Sequence, residues 1–137
     1  MRIILNFPER IVFTTQINVR ITDLNYGEHL ANHNLLVYAH EARMGWLKHS
    51  GYTEMDIEGA SLIMADAAIQ FKSEAFYGEQ LSIDIGVQNF SRVAFDMYYR
   101  ILSGDRIVAI VKTGMVFFDY DVRKIKPVPE VFRKKFE

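Results

Sequence analysis

The chain has 137 residues, half of them hydrophobic and 24% charged, which is enough for one filled core and is not the balance of a disordered protein. Sixteen Lys and Arg against seventeen Asp and Glu leave a net charge of -1, so no overall field attracts nucleic acid. The absence of cysteine excludes thiol nucleophiles, disulfides and zinc-cysteine sites, and fits a reducing, cytoplasmic setting.

The N-terminal stretch from Met1 to Pro8 carries an apolar patch too short for a secretory segment, and no run approaches the roughly 18 apolar residues of a membrane span. A mature cytoplasmic protein is expected. From Arg10 to Ile21, the residues Ile11, Phe13, Thr15, Ile17, Val19 and Ile21 alternate with Val12, Thr14, Gln16, Asn18 and Arg20 in a period-2 pattern rich in β-branched side chains, which predicts a first strand. Thr22 to Asn34 is dense in Asn, Asp and Gly and predicts a loop. Asn32 or Asn34 can cap the helix that follows, where Leu35, Ala39, Ala42 and Trp46 recur at helical spacing to about Ser50, with Gly51 as its left-handed stop.

Alternation resumes from Ser61 to Ser73, with Ile63, Ala65, Ala67, Ile69 and Phe71 on one face. Two more strands follow through Leu81, Ile83, Ile85 and Val87 and through Val93, Phe95, Met97, Tyr99 and Ile101. Ser103-Gly-Asp105 predicts a hairpin turn into a last strand, Arg106 to Asp119, with Ile107, Ala109, Val111, Thr113, Met115 and Phe117 together and Gly114 marking a bend or close approach. A short basic helix begins at Pro127-Val-Pro129. The order predicts one α+β domain over residues 1–137, a hotdog fold whose long central helix is wrapped by a five-stranded antiparallel sheet.

The loop before the helix reads Asp23-Leu-Asn25-Tyr-Gly-Glu-His29-Leu-Ala-Asn32, preceded by Arg20 and followed by Glu41-Ala-Arg43. It resembles the hotdog thioesterases, the hydroxybenzoyl-CoA, acyl-CoA and plant acyl-carrier-protein enzymes among them, in which D-x-[D/N]-x-x-x-H-x-x-N precedes the central helix. Phe118-Asp-Tyr120 at the end of the last strand, and the Pro-containing lead to a terminal helix, extend the likeness. The resemblance implies an acyl-thioester hydrolase acting on acyl-CoA or acyl-carrier-protein thioesters. It also implies a homodimer or homotetramer in which second strands pair across subunits, and it implies no cofactor and no metal.

The resemblance assigns catalytic roles to Asn25, His29 and Asn32, and substrate contacts to Asp23, Tyr26, Gly27, Leu30 and Asp66. Where several relatives carry a carboxylate, this chain has Asn25, so proton transfer falls to His29 and the amide is left to orient water or donate to the thioester carbonyl. The backbone from Leu30 to Asn32, at the start of the helix, is the expected oxyanion site, and Gly27 lets the chain approach closely. Structural alternatives stand beside these roles: Asn25 and Asn32 as turn or cap residues, Asp23 paired with Arg20, and Asp66 paired on the outer face rather than entering the site from a partner. His29 and His33 lack the further ligands of a zinc motif. Lys72, Arg92 and Lys112 are the cations available for CoA phosphates. A non-catalytic acyl-thioester binder is the rival reading, motivated by Asn25. A hotdog hydratase fits less well, because His29 lies one residue too far from Asp23 and Tyr26 replaces a proline.

Overall fold

A computed structural model describes residues 1–137. The alternating segments form β1 (Phe13–Asn18), β2 (Ser61–Phe71), β3 (Gln80–Gln88), β4 (Ala94–Ser103), β5 (Arg106–Asp119) and a two-residue β6 (Lys124–Ile125). Two helices, α1 (Asn34–His49) and α2 (Glu130–Phe136), complete the chain. All pairings are antiparallel in the order β1-β3-β4-β5-β2, with β6 folded back on the end of β5. α1 crosses one face of the sheet and meets β1, β3 and β5, the hotdog arrangement expected from the order of elements, with β6 as an addition.

α1 turns Leu35, Tyr38, Ala39, Ala42, Trp46 and Leu47 into the core, none more than 3% exposed. The two alanines keep the helix axis close to the sheet, and at Gly45 an added Cβ would lie only 3.4 Å from the Phe13 ring. The helix ends as expected at Gly51, where φ is +82°. The amides of Gly51 and Tyr52 return to the carbonyls of Lys48 and Leu47 at 3.0 and 2.7 Å, a Schellman closure. Its start differs from expectation. Neither Asn32 nor Asn34 caps it: His33 occupies the cap position without a side-chain bond, and Asn34 Nδ2 donates instead to the Asp23 carbonyl at 2.9 Å.

Two bulges correct the predicted strand faces. Met64 pairs with Met115 and Asp66 with Gly114, so Ala65 is an extra residue. Before the bulge Leu62 and Met64 take the helix-facing side in place of Ile63, and after it Ala67 and Ile69 do. In β5, Ile101 pairs with Ala109 and Leu102 with Ile107, which leaves Val108 extra and turns it inward at 2% exposure in place of Ile107. Gly114 is a close approach, as read: an added Cβ would stand 2.5 Å from Asp66 Oδ1, which accepts the Gly114 N–H at 2.9 Å. β1 is shorter than predicted because Ile21–Asp23 closes into a 3-10 turn on the Asp23 carboxylate.

One polar insertion enters this core. Arg43, with a side chain 7% exposed, donates from Nε to Glu54 at 2.8 Å and from Nη1 to the Tyr99 hydroxyl at 2.9 Å. Tyr99, wholly buried, lies 2.9 Å from Thr113 Oγ1, and burial pushes its phenol above the ordinary range, so it stays protonated. His40 shares Glu54 at 3.3 Å. The guanidinium is tolerated because a carboxylate and a hydroxyl meet it at hydrogen-bond distance.

One turn beyond Arg43 on α1, Trp46 meets Phe132 from α2, which is fully buried among Trp46, Phe95 and Phe117, with ring centroids 5.2 to 6.0 Å apart. Phe132→Ala opens a cavity there and is expected to cost about 3–5 kcal/mol. Urea unfolding checks this as a lower midpoint at an unchanged slope.

Candidate active site

Asp23 fixes the loop that carries the motif. Its carboxylate Oδ2 accepts the Tyr38 hydroxyl at 2.5 Å and Arg20 Nε at 3.2 Å, while its carbonyl accepts the Ala31 N–H at 2.9 Å along with Asn34 Nδ2. Burial alone would raise this carboxyl, but the bonds from Tyr38 and Arg20 outweigh it and hold the group below the usual carboxylate range. Burial and the neighbouring Asp23 charge push the Tyr38 phenol upward, so Tyr38 remains a donor. Between these anchors Leu24 bridges Leu30, the Asn25 amide donates to the His29 carbonyl at 3.0 Å, and Glu28 turns the chain with φ at +62°.

The same loop lies against the β2–β3 connection. The Leu30 N–H donates to the Ala75 carbonyl at 2.8 Å, and His29 bridges Phe76. Between the two segments opens a cleft of about 370 Å³ lined by His29, Leu30, Asn32, Leu35, Phe71, Lys72, Ser73, Glu74, Ala75 and Val108. Of the residues expected at the site, His29, Leu30 and Asn32 line it together.

His29 Nδ1 is 3.1 Å from the Leu30 carbonyl. A carbonyl oxygen only accepts, so Nδ1 carries the hydrogen and Nε2 is left as the basic nitrogen. Nε2 stands 4.0 Å from Glu74 Oε1, a carboxylate absent from the sequence reading. Glu74 is placed by Arg106, whose Nη1 donates to the Ser73 hydroxyl at 3.0 Å and to the Glu74 carbonyl, and whose Nη2 pairs with Glu79 at 2.7 Å. The one sequence signal for Glu74 is a polar Lys-Ser-Glu run directly after an apolar strand.

Asn25 Oδ1 accepts the Gly27 N–H at 2.9 Å, which leaves its amide nitrogen free on the exposed turn; Asn25 itself is not among the residues lining the cleft. Gly27 sits between that amide and the imidazole: an added Cβ would be 3.0 Å from His29 Cδ2 and 3.4 Å from Asn25 Oδ1. Tyr26, at the tip of the turn, is fully exposed and does not line the cleft. Of the amides expected to hold an oxyanion, those of Leu30 and Ala31 are already committed to Ala75 and Asp23, and those of Asn32 and His33 have no protein acceptor. Asp66 lies on the outer face of the sheet, away from α1, bound to Lys112 at 2.7 Å and to Gly114. Lys112, which also meets Asp96 at 3.5 Å, is thereby held on that face, and of the three candidate cations Lys72 lines the cleft.

Residues 19–136 match the model of a family described as the thioesterase-like superfamily. A 1,4-dihydroxy-2-naphthoyl-CoA hydrolase from Microcystis aeruginosa is 32% identical over 100 residues, which cover 71% of this chain and 72% of that one. Among solved structures, a 1,4-dihydroxy-2-naphthoyl-CoA thioesterase from Synechocystis superposes with a TM-score of 0.79 at 23% identity, covering 89% of this chain and 93% of the other. A gentisyl-coenzyme A thioesterase gives 0.80 at 16% identity, over 91% and 100%. These two likenesses carry the fold.

The depressed Asp23 carboxyl makes a directional prediction. Its contribution to stability is complete above the ordinary carboxylate value of about 3.9 and is lost as pH falls through the lower folded value. Asp23→Asn is therefore expected to unfold at lower temperature than the parent at neutral pH. That gap should close as pH drops below about 4, a trend that thermal scans across a pH series would follow.

Proposed function

The chain belongs to the thioesterase-like superfamily and is an enzyme of thioester hydrolysis, and from that premise we propose that its cleft takes an acyl-CoA and releases the free acid and CoA. The observation that carries this reading is the meeting, in one cleft, of His29, whose Nδ1 is engaged by the Leu30 carbonyl, with Asn32, whose backbone amide just ahead of α1 has no protein acceptor. Water attacks the thioester carbonyl carbon as His29 Nε2 takes its proton, and the Glu74 carboxylate stabilises the imidazolium so formed. The carbonyl oxygen becomes the oxyanion and accepts from the Asn32 and His33 amides at the positive end of the helix dipole. Asn25 Nδ2 supplies a further donor. The tetrahedral intermediate then collapses, the C–S bond breaks, and the thiolate of CoA recovers the proton from Nε2.

In this reading Asn25 binds and orients, and the role of the carboxylate that several relatives carry there passes to the histidine with Glu74 behind it. Lys72, whose ammonium makes no ion pair within the chain, stands at the mouth where CoA phosphates would enter. The cleft reaches Phe71 and Lys72 at the end of β2, the unpaired edge of the sheet, so a second copy added along that edge would border the site. A homodimer joined at β2 is part of the proposal, as is a cytoplasmic setting.

Thiol release from a panel of acyl-CoAs tests the reading. His29→Ala is expected to lower kcat by about 100-fold or more with KM changed only a few-fold, and Glu74→Gln and Asn25→Ala to lower kcat by smaller factors. Unchanged rates in all three would remove the loop from the chemistry. Thermal stabilisation by acyl-CoA with no thiol released from any substrate would instead make the protein a binder.

A further inference from the structure

Leu36, His40 and Arg43 recur on one stripe of α1 at steps of four and three residues, and Asn32, four residues ahead of Leu36, stands at its top beside the cleft. Along this stripe, where α1 passes β2 and β5, lies a second recess of about 230 Å³, lined by Leu36, Val37, His40, Arg43, Met64 and Thr113. Leu36, Val37 and Met64 give it an apolar half, and His40, Arg43 and Thr113 a polar one.

The hydrogens on the polar half can be followed one by one. Arg43 uses Nε on Glu54 and one Nη1 hydrogen on Tyr99, while Nη2 has no protein partner and yet is not sealed from the surface. The Tyr99 oxygen accepts from Arg43, and its own hydrogen goes to Thr113 Oγ1, a better acceptor than the Met97 sulfur at 3.5 Å. The Thr113 hydroxyl hydrogen is then unclaimed, on a residue 1% exposed that lines the recess. Two donors from side chains more than nine-tenths buried therefore stand beside the apolar Leu36, Val37 and Met64, while Glu54 already balances the guanidinium charge and engages His40, the remaining lining residue.

We propose that this recess receives the far end of the acyl group, and that it selects acyl groups ending in a hydroxyl or carbonyl oxygen over plain hydrocarbon ones. The inference rests on the thioesterase reading of the cleft, which supplies the near end. Nine positions of α1 separate Asn34 at its start from Arg43, about 13–14 Å along the axis at about 1.5 Å per residue, which is within the reach of a medium-chain acyl group and a terminal hydrogen bond. A hydrocarbon end would displace water from Arg43 Nη2 and Thr113 Oγ1 and give them nothing in return.

The test uses matched pairs: decanoyl-CoA against ω-hydroxydecanoyl-CoA, and dodecanoyl-CoA against ω-hydroxydodecanoyl-CoA. The wild-type protein is expected to show kcat/KM at least about tenfold higher for the oxygenated member. Thr113→Val and Arg43→Lys should each bring that ratio to within about threefold by lowering kcat/KM for the oxygenated member. Equal wild-type values within both pairs would overturn the proposal, and so would a ratio that survives both substitutions. If either variant fails to fold, the wild-type ratio decides. If no thioester is hydrolysed, the proposed activity fails separately, and the recess is judged by thermal shift with the free acids. Stronger stabilisation by ω-hydroxydecanoic than by decanoic acid supports it, and equal stabilisation overturns it.

Discussion

The geometry of the site depends on the burial of one carboxylate. Asp23 takes the Tyr38 hydroxyl and the Arg20 guanidinium on one oxygen while its carbonyl holds the Ala31 amide and the Asn34 side chain. Four segments therefore meet at one residue: the end of β1, the turn, the loop, and the first two turns of α1. A buried acceptor left without donors is costly, so each of these segments is held to the others by the penalty of letting Asp23 go. The loop can then carry exposed, chemically competent side chains between fixed ends without itself being packed.

The site is assembled from two parts of the chain that need each other. The Asn25–His29 turn presents the imidazole, and the β2–β3 connection presents Glu74 and Lys72. The Leu30–Ala75 bond and the His29–Phe76 bridge set their spacing. Arg106 stands behind that connection and ties Ser73, the Glu74 backbone and Glu79 together, so the carboxylate facing His29 sits on a braced strand end rather than a free loop. Arg43 does comparable work deeper in the fold, where a charge would otherwise be unwelcome between a helix and a sheet.

Much of this could be read from residue order because its causes are local. The period-2 runs of β3 and β4 put Ile83, Ile85, Met97 and Tyr99 on the buried face as predicted, and Gly51 ends α1 because only a residue easy at positive φ fits there. The D-x-N-x-x-x-H-x-x-N spacing brought His29 and Asn32 into one cleft. What escaped depends on contacts between distant positions. Ala65 and Val108 are extra residues only relative to the strands beside them, so the faces of Ile63 and Ile107 were misread. Asn34 was a natural cap until the Asp23 carbonyl claimed it, and the Leu30 and Ala31 amides seemed free until Ala75 and Asp23 took them. Glu74 is 45 positions from His29, and no pattern within either segment announces the other.

The bulge at Ala65 has a consequence at the rim of the sheet. β2 is an outer strand, and its middle is interrupted by one unpaired residue followed by the Asp66 carboxylate folded over Gly114. An uninterrupted apolar strand of this length would be an indiscriminate template, accepting any extended chain in any alignment. A kinked strand with a charge beside the kink is a poorer template, because the bulge bends the strand and interrupts its regular ladder. The chain keeps an open edge whose kink and neighbouring charge, set by one glycine and one aspartate, are the kind of interruption that works against edge-to-edge aggregation.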